Sequence, residues 1–210
     1  MGREIGPDRS VIAVDELGRV VDGDRLIALS ALQRRAEGRL AHDTVVVTVM
    51  SNLGFHRAMR EAGVRVVTTP VGDRHVLEAL EAGGFSVGGE QSGHIIHRDL
   101  ATTGDGLLAG LELVAHLRRS GEPLSVVADR VMTRYPQVLV NVTVRERHPD
   151  AAEQLASEIR EAEQSLGDGR VLVRASGTEP IVRVMVEAAT DEEAAVVAHR
   201  LADVVSARWA

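Results

Sequence analysis

Apolar positions along the chain alternate between two rhythms. "TVVVTVM" (44–50) is a continuous β-branched run, as expected of a strand covered on both faces, and "VRVVTTP" (64–70) and "FSVGG" (85–89) read as further strands. Between them, "NLGFHRAMREAG" and "HVLEALEAG" carry apolar residues at helical spacing, with Gly63 as a stop signal for the first. Upstream, "SVIAVDELGRVVDGD" predicts two short strands around a Leu-Gly turn. A helix then runs through "RLIALSALQRRAEG", with Asp24 as its predicted N-cap and Gly38 as its end. The loop "EQSGH" leads to a short strand "IIHRD", the loop "LATTGD", a long amphipathic helix "GLLAGLELVAHLRRSG" and a shorter one, "LSVVADRVM". This alternation predicts an α/β layered domain with a mixed, largely parallel sheet.

The rhythm changes near Tyr135 and Pro136. "VLVNVTV" alternates like a half-exposed strand, "DAAEQLASEIREAEQSLG" predicts one helix capped by Asp150, and "RVLVRAS" and "IVRVMVEAA" predict strands before a terminal helix. That order predicts a small α+β domain, a sheet covered by helices on one face. The expected division is 1–23 as the remnant of a preceding domain, 24–134 as the α/β domain, and 135–210 as the α+β domain.

Composition narrows the classes. Of 210 residues, 44% are hydrophobic but only 2% aromatic, so Val, Leu, Ile and Ala must build the cores. The net charge of -7 argues against generic nucleic-acid binding, and any anionic ligand must be held by a local cluster of cations. With no cysteine, thiolate metal sites, thiol nucleophiles and disulfides are excluded. The N-terminus "MGREIGPDRS" is polar, without the apolar core of a signal peptide, and no apolar run reaches membrane-spanning length; a cytoplasmic location is expected.

Three loops at predicted strand ends carry candidate chemistry. "RASGTEP" (174–180) is either a tight turn or an anion cradle, with glycine freeing the backbone, Ser176 and Thr178 donating, and Arg174 adding a forked charge. "GGEQSGH" (88–94) is either a polar hairpin loop or a polyol site, because Glu90 can accept from two vicinal hydroxyls while Ser92 and His94 complete the pattern. "VGDR" (71–74) offers a buried-looking Asp73 beside Arg74, or simply a surface ion pair starting a helix. Ser92 is no hydrolase nucleophile, since that motif needs glycine where Glu90 stands. His94 and His97 fall on opposite faces of a strand, so "HIIH" is set aside as a zinc site. "VDGD" (21–24) is set aside as a cation loop because Asp24 serves better as a helix cap.

Together, "TVMSNLGF", "VGDRHVLEAL", "GGEQSGH", "TTGDGLLAGL", "PQVLVNV" and "RASGTEPIVRVMVEA" resemble the α-D-phosphohexomutase superfamily, and within it the bacterial phosphoglucosamine mutases. The resemblance implies interconversion of glucosamine 6-phosphate and glucosamine 1-phosphate through a magnesium-bound phosphoserine and a bisphosphate intermediate, on the route to UDP-N-acetylglucosamine. By the same resemblance, Glu90 and Ser92 hold sugar hydroxyls and His94 assists as a polar or proton-transfer group. Asp73 and Arg74 line the cleft. Arg174, Ser176, Gly177 and Thr178 grip the phosphate, supported by Arg183. His75 stands where the family usually has tyrosine, and Ala175 where lysine is common.

The resemblance covers only a C-terminal portion. Nothing matches the family's phosphoserine loop S-A-S-H-N-P. Where the metal loop D-G-D-A-D-R is expected the chain reads "IGPDRS", leaving Asp8 as a remnant ligand. The chain is therefore expected to bind no magnesium and to be inactive by itself, with a hexosamine phosphate and the missing N-terminal domains as partners. Two readings stay open: a catalytic half awaiting those domains, or a non-catalytic sugar-phosphate or protein-interaction module, homo-oligomeric or not. The same portion of a phosphomannomutase or phosphoglucomutase is a further alternative.

Overall fold

A computed structural model describes residues 10–210. The chain divides into two compact units, 1–133 and 134–210; Asp8 lies outside the described residues.

The first unit begins with a hairpin of β1 (Ala13–Val14) and β2 (Val20–Val21). Its inward residues Val11, Ala13 and Val21 pack on the core of this unit. These three, from the segment expected to be a remnant of a preceding domain, thus pack on the α/β core. Helix α1 (Gly23–Ala36) follows, but its N-cap is Asp22, whose carboxylate accepts from Arg25 N–H at 3.2 Å. The expected cap, Asp24, instead sits in the first turn, fully buried, and accepts from the backbone N–H of Asn52 at 2.8 Å. Either aspartate satisfies local capping rules, and the choice is made by a partner 28 residues away.

β3 (Thr44–Thr48), α2 (Leu53–Glu61), β4 (Arg65–Thr69), α3 (Asp73–Gly83), β5 (Val87–Gly89) and β6 (Ile95–His97) build a four-stranded sheet ordered β4-β3-β5-β6. β3 runs parallel to β4 and β5, while β6 is antiparallel to β5, which gives the mixed sheet. Every residue of β3 is buried, as its unbroken β-branched run requires. α4 (Gly106–Ser120) and α5 (Leu124–Val131) complete the unit, with α4 capped by the Asp105 carboxylate on Leu108 N–H.

An apolar-looking helix hides one charge. Arg34 on α1 is fully buried, donating to Asp99 at 2.7 Å and to His97 Nδ1 at 3.1 Å. Burial and then the Arg34 charge push the His97 imidazole down to about 4. His97 is thereby committed to a neutral structural role, and His94 precedes β6 rather than sharing its strand.

The second unit is an antiparallel sheet ordered β7-β9-β8, from β7 (Gln137–Thr143), β8 (Arg170–Ala175) and β9 (Ile181–Glu187). Val182, Val184 and Val186 of β9 and Val171 and Val173 of β8 face a core shared with Ala194, Ala198, Leu201 and Val205 of α8 (Asp191–Trp209). The other sheet face carries the alternate residues. The single helix expected over 150–167 is broken into α6 (Ala151–Gln154) and α7 (Ala156–Leu166) at Leu155. Leu155 is fully buried in that core with φ -106° and ψ 16°, so packing overrides helical continuity. Asp150 precedes α6, but its carboxylate accepts from the Gln154 amide rather than from a backbone N–H.

Candidate functional site

In the first unit, the loop after β5 turns back on itself through two backbone bonds, Gly93 N–H to Glu90 O at 2.9 Å and Glu90 N–H to His94 O at 3.0 Å. The turn needs Gly93, at φ 91°, where any Cβ would overlap Val11 O. Glu90 is half-buried, and its Oε1 accepts from Gly72 N–H at 3.1 Å, which anchors the carboxylate to the start of α3. One carboxylate edge is thus used by the fold.

His94 is buried, and among the described residues its Nε2 has no hydrogen-bond partner. Asp73 Oδ2 lies 3.7 Å from it, and a Cβ on Gly104 would collide with the ring. Glu90, His94 and Asp73 therefore gather where the β5–β6 loop meets the start of α3, with Ser92 exposed at the tip of the turn.

Arg74 does not join them. Val71 and Gly72 lie in the loop, Asp73 and Arg74 open the first turn of α3, and Arg74 turns outward to Glu78 at 2.7 Å, an i,i+4 surface pair. Asp73 is exposed rather than buried. Gly72, with φ 127°, and Gly104 were not singled out from sequence, although both sit in the quoted motifs "VGDRHVLEAL" and "TTGDGLLAGL".

In the second unit, Arg174 on β8 and Arg183 on β9 are register partners on the face away from the helices. Asn141 on β7 is the partner of Arg183 on its other side, so an amide and two guanidiniums form one row. Among the described residues neither arginine has an ion pair, and the Nε of each is buried without a partner. Burial, and then the Arg183 charge, hold the Arg174 guanidinium below its ordinary range. Two unneutralised like charges side by side favour any anion that can bridge them. Asn141 was missed in the sequence, where it reads only as a polar position in an alternating strand.

The turn joining these strands is organised by Ser176, which is buried and whose Oγ accepts from Thr178 N–H at 3.4 Å and Glu179 N–H at 3.3 Å. Gly177 is not in the left-handed region, and a Cβ there would meet nothing within 4 Å. The expectation that glycine curls this backbone is thus not met; the fold itself leaves open space at 177.

Among the described residues no three His, Asp or Glu side chains converge as metal ligands, so they do not fit a magnesium ion and no step is assigned to one. No helix among them is long and apolar enough to cross a membrane.

A family model for the α/β/α domain III of phosphoglucomutase/phosphomannomutase matches residues 22–135, and one for the C-terminal domain matches 139–204. The chain belongs to the phosphoglucomutase/phosphomannomutase family. It is 59% identical over 198 residues to a phosphoglucosamine mutase of Frankia alni, covering 93% of this chain and 43% of that protein. A phosphoglucosamine mutase of Leifsonia xyli is 55% identical, with 95% and 44% covered. Among solved structures, the N-acetylphosphoglucosamine mutase of Aspergillus fumigatus, in complex with GlcNAc-6P and magnesium, matches with a TM-score of 0.78 and 26% identity over 93% of this chain and 46% of that one. The chain thus spans less than half the length of the relatives it matches, and corresponds to the C-terminal portion of the family.

Proposed function

We propose that this chain is the sugar- and phosphate-recognising half of a phosphoglucosamine mutase, which interconverts glucosamine 6-phosphate and glucosamine 1-phosphate. In this reading residues 24–134 recognise the sugar and 135–210 the phosphate. The observation that carries it is the Arg174–Arg183 pair, two guanidiniums held together without a carboxylate. A phosphate dianion neutralises both, and charge-assisted hydrogen bonds are the strong ones.

Arg174 and Arg183 grip the phosphate oxygens. Gly177 leaves room beside the turn, and Ser176 and Thr178 offer hydroxyls to it. In the first unit, the Glu90 edge not used by Gly72 accepts from sugar hydroxyls, Ser92 extends the pattern, and His94 presents its free Nε2 beside Asp73. Arg74 pairs with Glu78 at the surface, and no role is assigned to it.

A mutase must hold either phosphate of its substrate while the other reacts, so the clamp must accept both isomers. Phosphoryl transfer rests mainly on positioning and charge stabilisation. None of the residues assembled here is placed to carry a phosphoryl group, and the chain alone binds without turnover. The A. fumigatus relatives in complex with GlcNAc-6P and with glucose 1,6-bisphosphate support a sugar-phosphate ligand. The test is the affinity of the chain for each isomer: comparable dissociation constants for glucosamine 6-phosphate and 1-phosphate support the mutase reading. A preference of about 100-fold for one isomer, roughly 2.7 kcal/mol, sinks it in favour of a simple binding module.

A further inference from the structure

The "VDGD" segment, set aside as a cation loop, has a structural position that capping alone does not explain. Gly23 is the first residue of α1, where glycine is a poor choice for the helix itself. Its backbone is not in the left-handed region, so no conformational demand selects glycine either. What selects it is contact. A Cβ at position 23 would overlap Glu90 O and lie 2.7 Å from Gly93 N and 2.8 Å from Gln91 O. All three neighbours are backbone atoms of the candidate sugar loop, which cannot swing aside as a flexible side chain would. Gly23 N–H also donates to Gln91 O at 3.0 Å.

The loop is held from its other side by the start of the same hairpin. Val11 N–H donates to Gly93 O at 2.9 Å, and Ser10 bridges to His94. Residues 10–23 therefore form a collar, with the two ends of the β1–β2 hairpin gripping the 90–94 turn between them. The neighbouring Asp24, buried, fixes the base of the collar through Asn52 N–H.

We infer that Gly23 is a positioning residue for Glu90 and His94: its missing side chain lets the hairpin collar clamp the turn in the conformation that presents them. The inference rests on the sugar-recognition reading above for its consequence in binding. Gly23 touches no ligand itself.

The experiment compares Gly23→Ala with Gly110→Ala, a position on α4 where a Cβ meets nothing within 4 Å. Amide hydrogen exchange is followed across residues 88–94, and dissociation constants are measured for glucosamine 6-phosphate and for inorganic phosphate. Gly23→Ala is expected to speed exchange at 90–94 at least 10-fold and to weaken glucosamine 6-phosphate at least 10-fold. Inorganic phosphate affinity should be unchanged, because the arginine pair belongs to the other unit. Gly110→Ala should change neither.

Unaltered exchange at 90–94 in a folded Gly23→Ala chain overturns the positioning role. A wild-type chain that binds glucosamine 6-phosphate no better than inorganic phosphate overturns the sugar assignment instead, so the two ideas fail separately. Should Gly23→Ala lose its cooperative melt, Val11→Pro deletes the bond to Gly93 O with Gly23 intact. It must then speed exchange at the same amides, and protection equal to wild type there also overturns the role.

Discussion

Arg174 and Arg183 stand opposite one another on β8 and β9, and neither makes an ion pair among the described residues. Arginine stays charged under all conditions of interest, so the pair stores repulsion in the free chain. Arg174→Ala should relieve it. The substitution is expected to leave thermal stability unchanged or slightly raised while weakening phosphate binding about 10- to 100-fold, the value of one charge-assisted hydrogen bond. A melting curve and a phosphate titration on the same sample check both halves.

Gly177 provides a prediction of the opposite kind. A methyl group there meets no protein atom and imposes no backbone strain. Gly177→Ala should therefore melt within about 0.5 kcal/mol of wild type, as surface substitutions do. If phosphate occupies the space beside this turn, its affinity falls all the same. Unchanged affinity would place the anion elsewhere.

His97 sets a pH dependence. Its imidazole, lowered to about 4 by burial and by Arg34, titrates at its ordinary value near 6.5 once unfolded. Between those values the unfolded chain binds more protons, so stability rises with pH. The contribution is full above about pH 6.5 and is lost as pH falls toward 4, amounting to about 3 kcal/mol at most. Arg34 can only donate, which makes Nδ1 the acceptor, and protonation there breaks the bond. His97→Gln should flatten the stability profile between pH 7 and pH 5 in urea melts; an equally steep profile would assign that slope to other groups.

Asp24 is buried and binds the backbone N–H that opens α2. Asp24→Ala should cost about 2–4 kcal/mol, because it leaves a buried donor without that acceptor, and Asp24→Asn less, because an amide oxygen can still accept. Equal losses for both variants would show that the charge rather than the hydrogen bond matters.

Much of this architecture was legible in the sequence because it rests on local signals. The β-branched run of β3 announces a strand buried on both faces, and Gly63, at φ 67°, ends α2 where expected. "RASGTEP" does join two paired strands, its first two residues closing β8 and 176–180 forming the connection to β9. What escaped was decided by distant partners. Asp22 and Asp24 are equivalent to local capping rules, and Asp24 is drawn instead to the distant Asn52 amide. Leu155 breaks a helix of good propensity because the core claims its side chain. Arg34 looks like a surface residue until Asp99 and His97 are brought to it. Asn141 becomes interesting only when the register sets it beside Arg183. In the 88–94 loop, the sequence pointed to Glu90, Ser92 and His94 as candidates, while the glycines that shape their surroundings, Gly23, Gly72 and Gly104, show their purpose only in three dimensions.

The most direct measurement is a calorimetric titration of glucosamine 6-phosphate into the chain, with Arg174→Ala in parallel. Binding of phosphate and sugar as described predicts saturable heat, with a dissociation constant of about micromolar to millimolar, weakened about 10- to 100-fold in the variant. A folded wild-type chain that gives no saturable heat, or a variant that binds as tightly as wild type, would contradict it.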